Sequence, residues 1–228
     1  MCLCCLSASA QVRHVKRKVM HYQHHDDRAI RFGFCLGLNV MDFAITNSLV
    51  QNNVDSLIFG NINKLSPGFQ IQAVSAARLT DNLEVRFLPG VAFGQREISY
   101  HTIGNQPFAK PQRLESSYVE LPLLLKYKSK RVNNYRAFMI GGLNQRFDLA
   151  KTYREEDEIF MDLKLFDPCY EFGTGFDFYF PYFKLSIELR GSWGMFNVLN
   201  RRDTPRPEFQ DAVKKLRSSA YMISFYIE

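Results

Sequence analysis

The sequence lacks any run of roughly eighteen apolar residues, the length that a helix needs to cross a bilayer. It is also poor in glycine and proline, with 13 and 9 residues, which excludes a collagen-like or a flexible glycine-rich chain. Of its 228 residues, 46% are hydrophobic and 14% are aromatic, too many for a disordered acidic or basic tail. A transmembrane β-barrel remains open, because only one face of each of its strands is apolar.

Cysteine is nearly absent beyond the start of the chain. Three of the five cysteines lie within the first five positions, and the other two are Cys35 and Cys169. No Cys-X-X-Cys pair is accompanied by a second pair or by histidines at ligand spacing. The sequence therefore predicts no disulfide framework, no metal site and no cofactor.

Positive charge is concentrated in one short segment. The net charge is +6, and residues 11–31 hold six basic and two acidic residues, which contribute +4 of it. The remainder of the chain is nearly balanced, unlike the single-sign face of a nucleic-acid-binding domain. We therefore expect no nucleic-acid partner.

The first thirty residues divide into two segments. Residues 1–10 are apolar and end on Ala8-Ser9-Ala10, a small-residue pattern typical of signal-peptidase sites, but they lack a basic region and a full apolar stretch. We expect a signal-peptide remnant whose true start lies upstream; a frayed cytosolic N-terminus is the alternative. Residues 11–30 are predicted to form a basic, flexible periplasmic segment.

Histidine is frequent in that basic segment. No partner cysteine or carboxylate stands at ligand spacing from these histidines, which favours an exposed, mobile linker over a metal site. They are His14, His21, His24 and His25.

From residue 31 onward the chain alternates between apolar and polar residues, the period of a two-faced strand. Eight segments show this alternation and are predicted to be strands. They are residues 31–43, 68–79, 83–96, 118–128, 135–149, 170–180, 183–195 and 219–228.

The connections alternate in length as well. Those at 80–82, 129–134 and 181–182 are short, whereas those near 44–66, 101–116, 150–167 and 197–217 are long and polar. Alternating long and short connections between an even number of strands predict an up-and-down antiparallel barrel, here residues 31–228. The only helix candidate is residues 207–216.

The orientation of the two faces decides between an outer-membrane barrel and a soluble lipid carrier. About five bulky apolar residues from each strand would overfill the interior of an eight-stranded barrel. The strands are also long enough to cross a bilayer, and aromatic residues flank the turns. We therefore predict an all-β, eight-stranded transmembrane barrel in the outer membrane, with its apolar face toward lipid.

The polar face then lines the lumen and carries charges of both signs. We expect these to form a salt-bridged plug rather than an ion or proton pathway. Cys35 and Cys169 also point inward, at different heights on non-adjacent strands, so no disulfide is expected. The predicted lumenal charges are Glu84, Arg86, Arg96, Glu120, Lys126, Arg136, Arg146, Glu171, Asp177, Lys184, Glu188 and Arg190.

Catalytic patterns are weak. A Ser/His/Asp set would need His101, Ser116 and Asp157 to converge from three predicted loops. The acidic run 155–158 lacks the alternating ligands of a calcium loop, and Gly141-Gly142 falls inside a strand. We predict no catalytic, cofactor-binding or metal-binding residue.

Four stretches are similar to known outer-membrane proteins. Residues 120–127 (ELPLLLKY) resemble a segment common in Bacteroidetes barrels. Residues 86–96 (RFLPGVAFGQR), 128–136 (KSKRVNNYR) with 141–144 (GGLN), and 181–189 (PYFKLSIEL) together resemble the PorT family of the type IX (Por) secretion system. The resemblance runs from about residue 30 to the end.

This resemblance implies a non-enzymatic outer-membrane barrel that supports protein export as an accessory or assembly component. Its expected partners are other type IX components in the outer membrane and periplasm, and membrane lipid, with no small-molecule substrate. A stand-alone barrel acting as adhesin or envelope stabiliser is the alternative. Two further alternatives are a loop-borne hydrolase or acyltransferase and a soluble lipid carrier.

Overall fold

The computed structural model describes residues 21–22, 28–47, 58–102, 112–149, 162–200 and 213–228. These residues form twelve β-strands. This part of the chain contains no helix that is long and apolar enough to cross a bilayer. In chain order, the strands are β1 (Ile30–Asn47), β2 (Ile58–Leu65), β3 (Pro67–Arg78), β4 (Leu83–Phe87), β5 (Gly90–Thr102), β6 (Gln112–Lys128), β7 (Tyr135–Asp148), β8 (Asp162–Leu163), β9 (Phe166–Tyr179), β10 (Lys184–Gly194), β11 (Leu199–Asn200) and β12 (Val213–Ile227).

The strands close into an antiparallel barrel whose wall is eight strands around. β2 and β3 together make one of the eight, because both pair with β5. β4 and β5 together make another, because both pair with β3 on one side and with β6 on the other. β1 pairs with β12 on one side and with β3 on the other, which closes the sheet. β8 and β11 pair only with each other, outside the barrel. The fold predicted from the alternation is confirmed.

The wall strand formed by β4 and β5 is interrupted at Leu88-Pro89. Pro89 has no N–H to donate, so the hydrogen-bond ladder loses a link there. The register with β3 is the same on both sides of the break: Ser75 is opposite Phe87 before it, and Gln72 is opposite Gly90 after it. The break therefore leaves the inward and outward faces unchanged.

The strands run further from the short turns than the alternation predicts. Residues 58–65, 101–102, 112–116 and 213–217 were expected in loops and lie in strands. The helix expected over 207–216 is wrong for 213–216, which belong to β12. The rest of that segment lies outside the described residues. Apolar and polar residues do not alternate regularly in these extensions. The sequence pattern therefore ends before the backbone hydrogen bonds between the strands do.

The hairpin of β9 and β10 has the register expected from its short turn. Phe180 donates its N–H to the carbonyl of Phe183 at 2.9 Å, and their rings stack with centroids 4.8 Å apart. Arg190 then lies opposite Gly173, and Glu188 lies opposite Gly175. The predicted pairing of large charged residues with glycine is confirmed.

The two faces of the barrel are oriented as predicted. Apolar side chains point outward, where Phe32 is 73% exposed and Leu189 is 56% exposed. Charged side chains point inward, and Glu84, Lys126 and Asp177 are fully buried. In a bilayer the outward surface meets acyl chains, so the interior has to satisfy its own charges.

Candidate functional site

The lumen is filled by alternating ionic and apolar layers. Inward positions on β6 show the order from the short-turn end: Lys128 and Lys126, then Leu124, then Glu120, then Tyr118. Because successive inward residues are about 6.6 Å apart along a strand, each layer is one or two side chains thick.

The first ionic layer centres on Glu84 of β4. Its carboxylate pairs with the Arg31 guanidinium, with Arg86 Nε at 2.8 Å and with Lys128 Nζ at 2.9 Å. Lys126 Nζ lies 4.0 Å away. All of these side chains are buried, so Glu84 is the shared counter-charge of four cations.

Two further acids complete this layer. Asp177 accepts hydrogen bonds from Lys126 Nζ at 2.7 Å and from the Ser186 hydroxyl at 2.6 Å. Glu228, which follows β12, pairs with Arg86 at 2.8 Å and with Lys184. The layer thus joins β1, β4, β6, β9, β10 and the end of β12, and it crosses the whole barrel.

An apolar layer lies above this ionic layer. Two of its aromatic rings contact the cations below: Lys126 Nζ is 3.6 Å from the Phe138 ring centroid, and the Arg86 guanidinium carbon is 5.2 Å from that of Tyr226. Such cation–π contacts stabilise ammonium and guanidinium groups that have lost their water. The layer consists of Cys35, Val74, Leu88, Leu124, Phe138, Ile140 and Tyr226.

A second ionic layer follows, built around Glu171 and Arg190. These two side chains pair at 3.0 Å, and Arg146 contacts both Glu171, at 3.5 Å, and Glu120, at 2.9 Å. Asn144 donates to Glu171 at 2.7 Å. Opposite charges again neutralise each other within the layer.

The two ionic layers are linked through Glu188. It accepts a hydrogen bond from the Tyr226 hydroxyl at 2.7 Å and lies 3.5 Å from Arg190 and 3.9 Å from Arg86. The bridge shows that the lumenal charges form one continuous network.

A second apolar layer closes the network on the long-loop side. Its side chains are all nearly or fully buried, and they come from β1, β5, β6 and β12. They are Met41, Ala92, Tyr118, Ala220 and Met222.

The lumen therefore has the structure of a packed plug. Ions of both signs are held against each other in charge-assisted hydrogen bonds, and apolar side chains pack between and above them. An eight-stranded barrel has only enough interior for its own side chains. This arrangement stabilises the barrel and leaves no opening for a protein cargo.

The outer surface carries aromatic residues at both rims of the apolar band. Near the short turns these are Phe180 with Phe183. Near the long connections, Tyr170 stacks on Trp193 at 5.6 Å, and Tyr221 meets Trp193 edge-on at 6.2 Å. Amphipathic aromatic rings favour the bilayer interface, so these two groups mark its two surfaces.

Every predicted lumenal charge whose side chain the structure describes lies in the lumen. The Arg96 side chain lies outside the described residues. Further buried charges were not in the predicted set: Arg31, Lys128, Asp148, Asp167 and Glu228. Strand parity already placed Arg31 and Lys128 on the polar face, whereas the other three lie at strand ends, where the pattern is short.

The two inward cysteines have the predicted burial. Cys35 and Cys169 are free thiols with no exposed surface. In the strand register, Cys35 lies opposite Gln72 and Tyr226. Cys169 lies opposite Asn144 and Gly194, on the other side of the barrel.

The Ser/His/Asp hypothesis is not supported by the position of Ser116. This residue was expected in a loop and lies in β6, opposite Gly94, with its side chain buried in the lumen. His101 is in β5, seven residues beyond Gly94 and therefore about 23 Å along the strand. Asp157 and the acidic run 155–158 lie outside the described residues.

No group of three or more His, Cys, Asp or Glu side chains in the described ranges is arranged to hold a metal ion. Of the N-terminal histidines, only His21 is described. Its N–H donates to Asn134 Oδ1 at 3.0 Å, and its carbonyl accepts from Arg131, whose guanidinium lies 3.7 Å from the Tyr179 ring centroid. This part of the leading segment thus contacts the short β6–β7 turn.

The comparison with protein families agrees with the barrel. The sequence model of a family described as outer membrane protein beta-barrel domain matches residues 10–200. Two similar solved structures are Neisserial surface protein A (11% identity, TM-score 0.45, covering 88% of this chain and 99% of that chain) and OprG from Pseudomonas aeruginosa (12% identity, TM-score 0.45, covering 86% and 92%). No curated protein matches the chain.

Proposed function

The chain belongs to the outer membrane protein beta-barrel domain family, and from that premise we propose that it is a non-enzymatic docking barrel that supports protein export. It lies in the outer membrane, with the short turns facing the periplasm as in other barrels of this type. The observation that carries the proposal is the sealed lumen. Since nothing large can pass through it, a role in export has to be exercised by the surfaces outside the barrel.

The periplasmic turns are the surface best suited to that role. The β6–β7 turn holds Lys130 and Arg131, and the β9–β10 turn holds Tyr182, which is 88% exposed. β7 pairs with β9, so these two turns are neighbours at the periplasmic rim. An exposed tyrosine beside cations is typical of protein-contact surfaces.

The export system we propose is the type IX system. Two of the stretches that resemble the PorT family, residues 128–136 and 181–189, contain these same neighbouring turns. A third, residues 86–96, spans the Leu88-Pro89 break in the wall. Packing constrains exposed turns little, so a resemblance that includes both of these turns supports a shared contact surface.

Deleting the gene tests this proposal directly. We expect type IX cargo to accumulate in the periplasm and to return to the medium when the wild-type gene is restored. Unchanged cargo export in the deletion strain would contradict the proposal.

A photo-cross-linking residue at position 182 tests the contact surface. We expect cross-links to another secretion component, and none from the same residue placed at Leu143 on the lipid face. Cross-links to no secretion component, with the barrel folded and inserted, would instead favour a stand-alone adhesin or envelope stabiliser.

A further inference from the structure

Two exposed cations stand on the outward face of one barrel strand. Lys215 and Arg217 of β12 are separated by one residue and therefore point to the same side. Neither has an ion-pair partner among the residues that the structure describes. As far as the described residues are concerned, these two cations are available to an anion from outside the barrel.

Their height places them at the outer surface of the bilayer. Arg217 lies four residues beyond Tyr221, hence about 13 Å along the strand, on the side away from the short turns. Tyr221 belongs to the aromatic group with Trp193 and Tyr170 that marks this interface. A charge just beyond such a group lies among lipid headgroups.

One acid is close to this pair. Asp42 is half-buried on β1, opposite Ser219 and thus diagonal to Arg217. Its Oδ1 accepts the N–H of Phe43 at 2.7 Å. With one acid against two cations, the described part of this patch has a net positive charge.

An apolar groove lies deeper in the same sector of the wall. It has a volume of about 320 Å³, its lining is almost entirely apolar, and it crosses β1, β3 and β12. Leu38 in its lining is opposite Ile223, six residues from Arg217 and about 20 Å along the strand. With a strand tilt of about 40°, this is roughly 15 Å below Arg217 in depth. Ile223 is two residues from Tyr221 and thus about 5 Å below the aromatic interface, among the acyl chains of the outer leaflet. The groove is lined by Leu36, Gly37, Leu38, Phe69, Gln70, Ile71 and Phe225.

We propose that this sector holds one lipid of the outer leaflet, with its phosphorylated headgroup on Lys215 and Arg217 and an acyl chain in the groove. The ligand class follows from the spacing, because only an amphiphile has an anion at one end and hydrocarbon at the depth of the groove. Arg217 supplies a two-pronged donor suited to phosphate, and Lys215 supplies a point charge.

Native mass spectrometry of the full-length protein tests the proposal. The protein is released from phosphatidylcholine nanodiscs that contain a minor share of lipid A, and the fraction of molecules that retain lipid A is measured. We expect the wild type to retain it and the double variant Lys215→Gln/Arg217→Gln to lose it by about tenfold, as removal of two charge-assisted bonds implies.

Matched controls separate the two parts of the site. Lys130→Gln removes a cation from the periplasmic turn and should leave retention unchanged. Ile71→Trp obstructs the groove and should lower retention several-fold, whereas Leu143→Trp on the opposite lipid face should not. Heat-modifiable gel mobility verifies that each variant is folded.

Three results would overturn the proposal. The first is equal retention by the wild type and the folded double variant. The second is displacement of lipid A by inorganic phosphate, which would show that the anion binds without the tail. The third is a dimer in place of a lipid adduct, which would show that a second copy covers the groove.

Discussion

At the scale of single residues, the lumen depends on acids that each serve several cations. Strand parity predicted most of these residues, because a charge on the polar face of a barrel strand has only the interior to enter. It did not predict which charges pair, since pairing depends on strand tilt and side-chain reach. Glu228 was missed for a related reason, as it follows the last residue of β12 and has no pattern beyond it.

Replacing Glu84 with glutamine should be strongly destabilising. The change removes the counter-charge of four buried cations without changing the shape of the side chain, so we expect a loss of about 3–5 kcal/mol in the free energy of unfolding. Urea-induced unfolding from lipid vesicles measures it. Asp81→Asn is the control, because Asp81 pairs with Arg78 at an exposed turn, and it should cost less than about 1 kcal/mol. Equal losses of unfolding free energy in the two variants would contradict the role of Glu84 as the shared counter-charge of four cations.

Two adjacent glycines on β7 should respond oppositely to alanine. A Cβ at Gly142 would collide with the backbone of Leu123 and Leu124 on β6. One at Gly141 would make two ordinary van der Waals contacts, with the Phe172 ring at 3.7 Å and the Glu171 carbonyl oxygen at 3.8 Å. Gly142→Ala should therefore cost about 1–3 kcal/mol, and Gly141→Ala should be neutral or stabilising by up to about 1 kcal/mol. The same unfolding assay applies, and a neutral Gly142→Ala would show that the two strands do not approach so closely.

At the scale of the elements, alternation predicted each membrane-crossing strand and the short turns but not where the strands end. Within the bilayer one face has to be apolar, so the pattern is strict and readable. Beyond it both faces meet polar surroundings, and β2, the far part of β5 and the first part of β12 carry no such pattern. Their strand structure follows from hydrogen bonding to neighbours that continue past the membrane.

The Leu88-Pro89 junction between β4 and β5 provides a test at this scale. Leu88 is fully buried in the first apolar layer, so Leu88→Ala should leave a cavity and cost about 2–5 kcal/mol. Leu189→Ala on the outward face should cost less, because lipid refills the space. Comparable losses in vesicle unfolding experiments would indicate that Leu88 does not fill the lumen.

At the scale of the whole molecule, the barrel is a closed β-sheet whose interior is filled by its own side chains. The sequence predicted both the closure and the plug, since bulky apolar residues on every strand exceed the volume of an eight-stranded interior. The layering was not predictable, because it arises from the stagger between neighbouring strands. The functional partner is not encoded in the alternation at all, since every small outer-membrane barrel needs the same pattern.

The plug predicts that the barrel does not conduct ions. We expect no stepwise current when the purified protein is inserted in a planar bilayer, because paired charges and apolar side chains fill the lumen. A 16- or 18-stranded porin, whose lumen is an aqueous channel, serves as the positive control. Discrete, voltage-dependent openings from the folded protein would show that the lumen is open.

The central claim is that apolar side chains face acyl chains while the charges pair inside. Spin labels at Leu185 and Leu189, in a background with the native cysteines replaced by alanine, measure it most directly, with a label at Lys130 as the aqueous reference. We predict that labels 185 and 189 collide readily with oxygen and rarely with a water-soluble nickel chelate, and that label 130 does the opposite. Ready collision of labels 185 and 189 with the chelate, or with neither reagent, would contradict the orientation of the barrel wall.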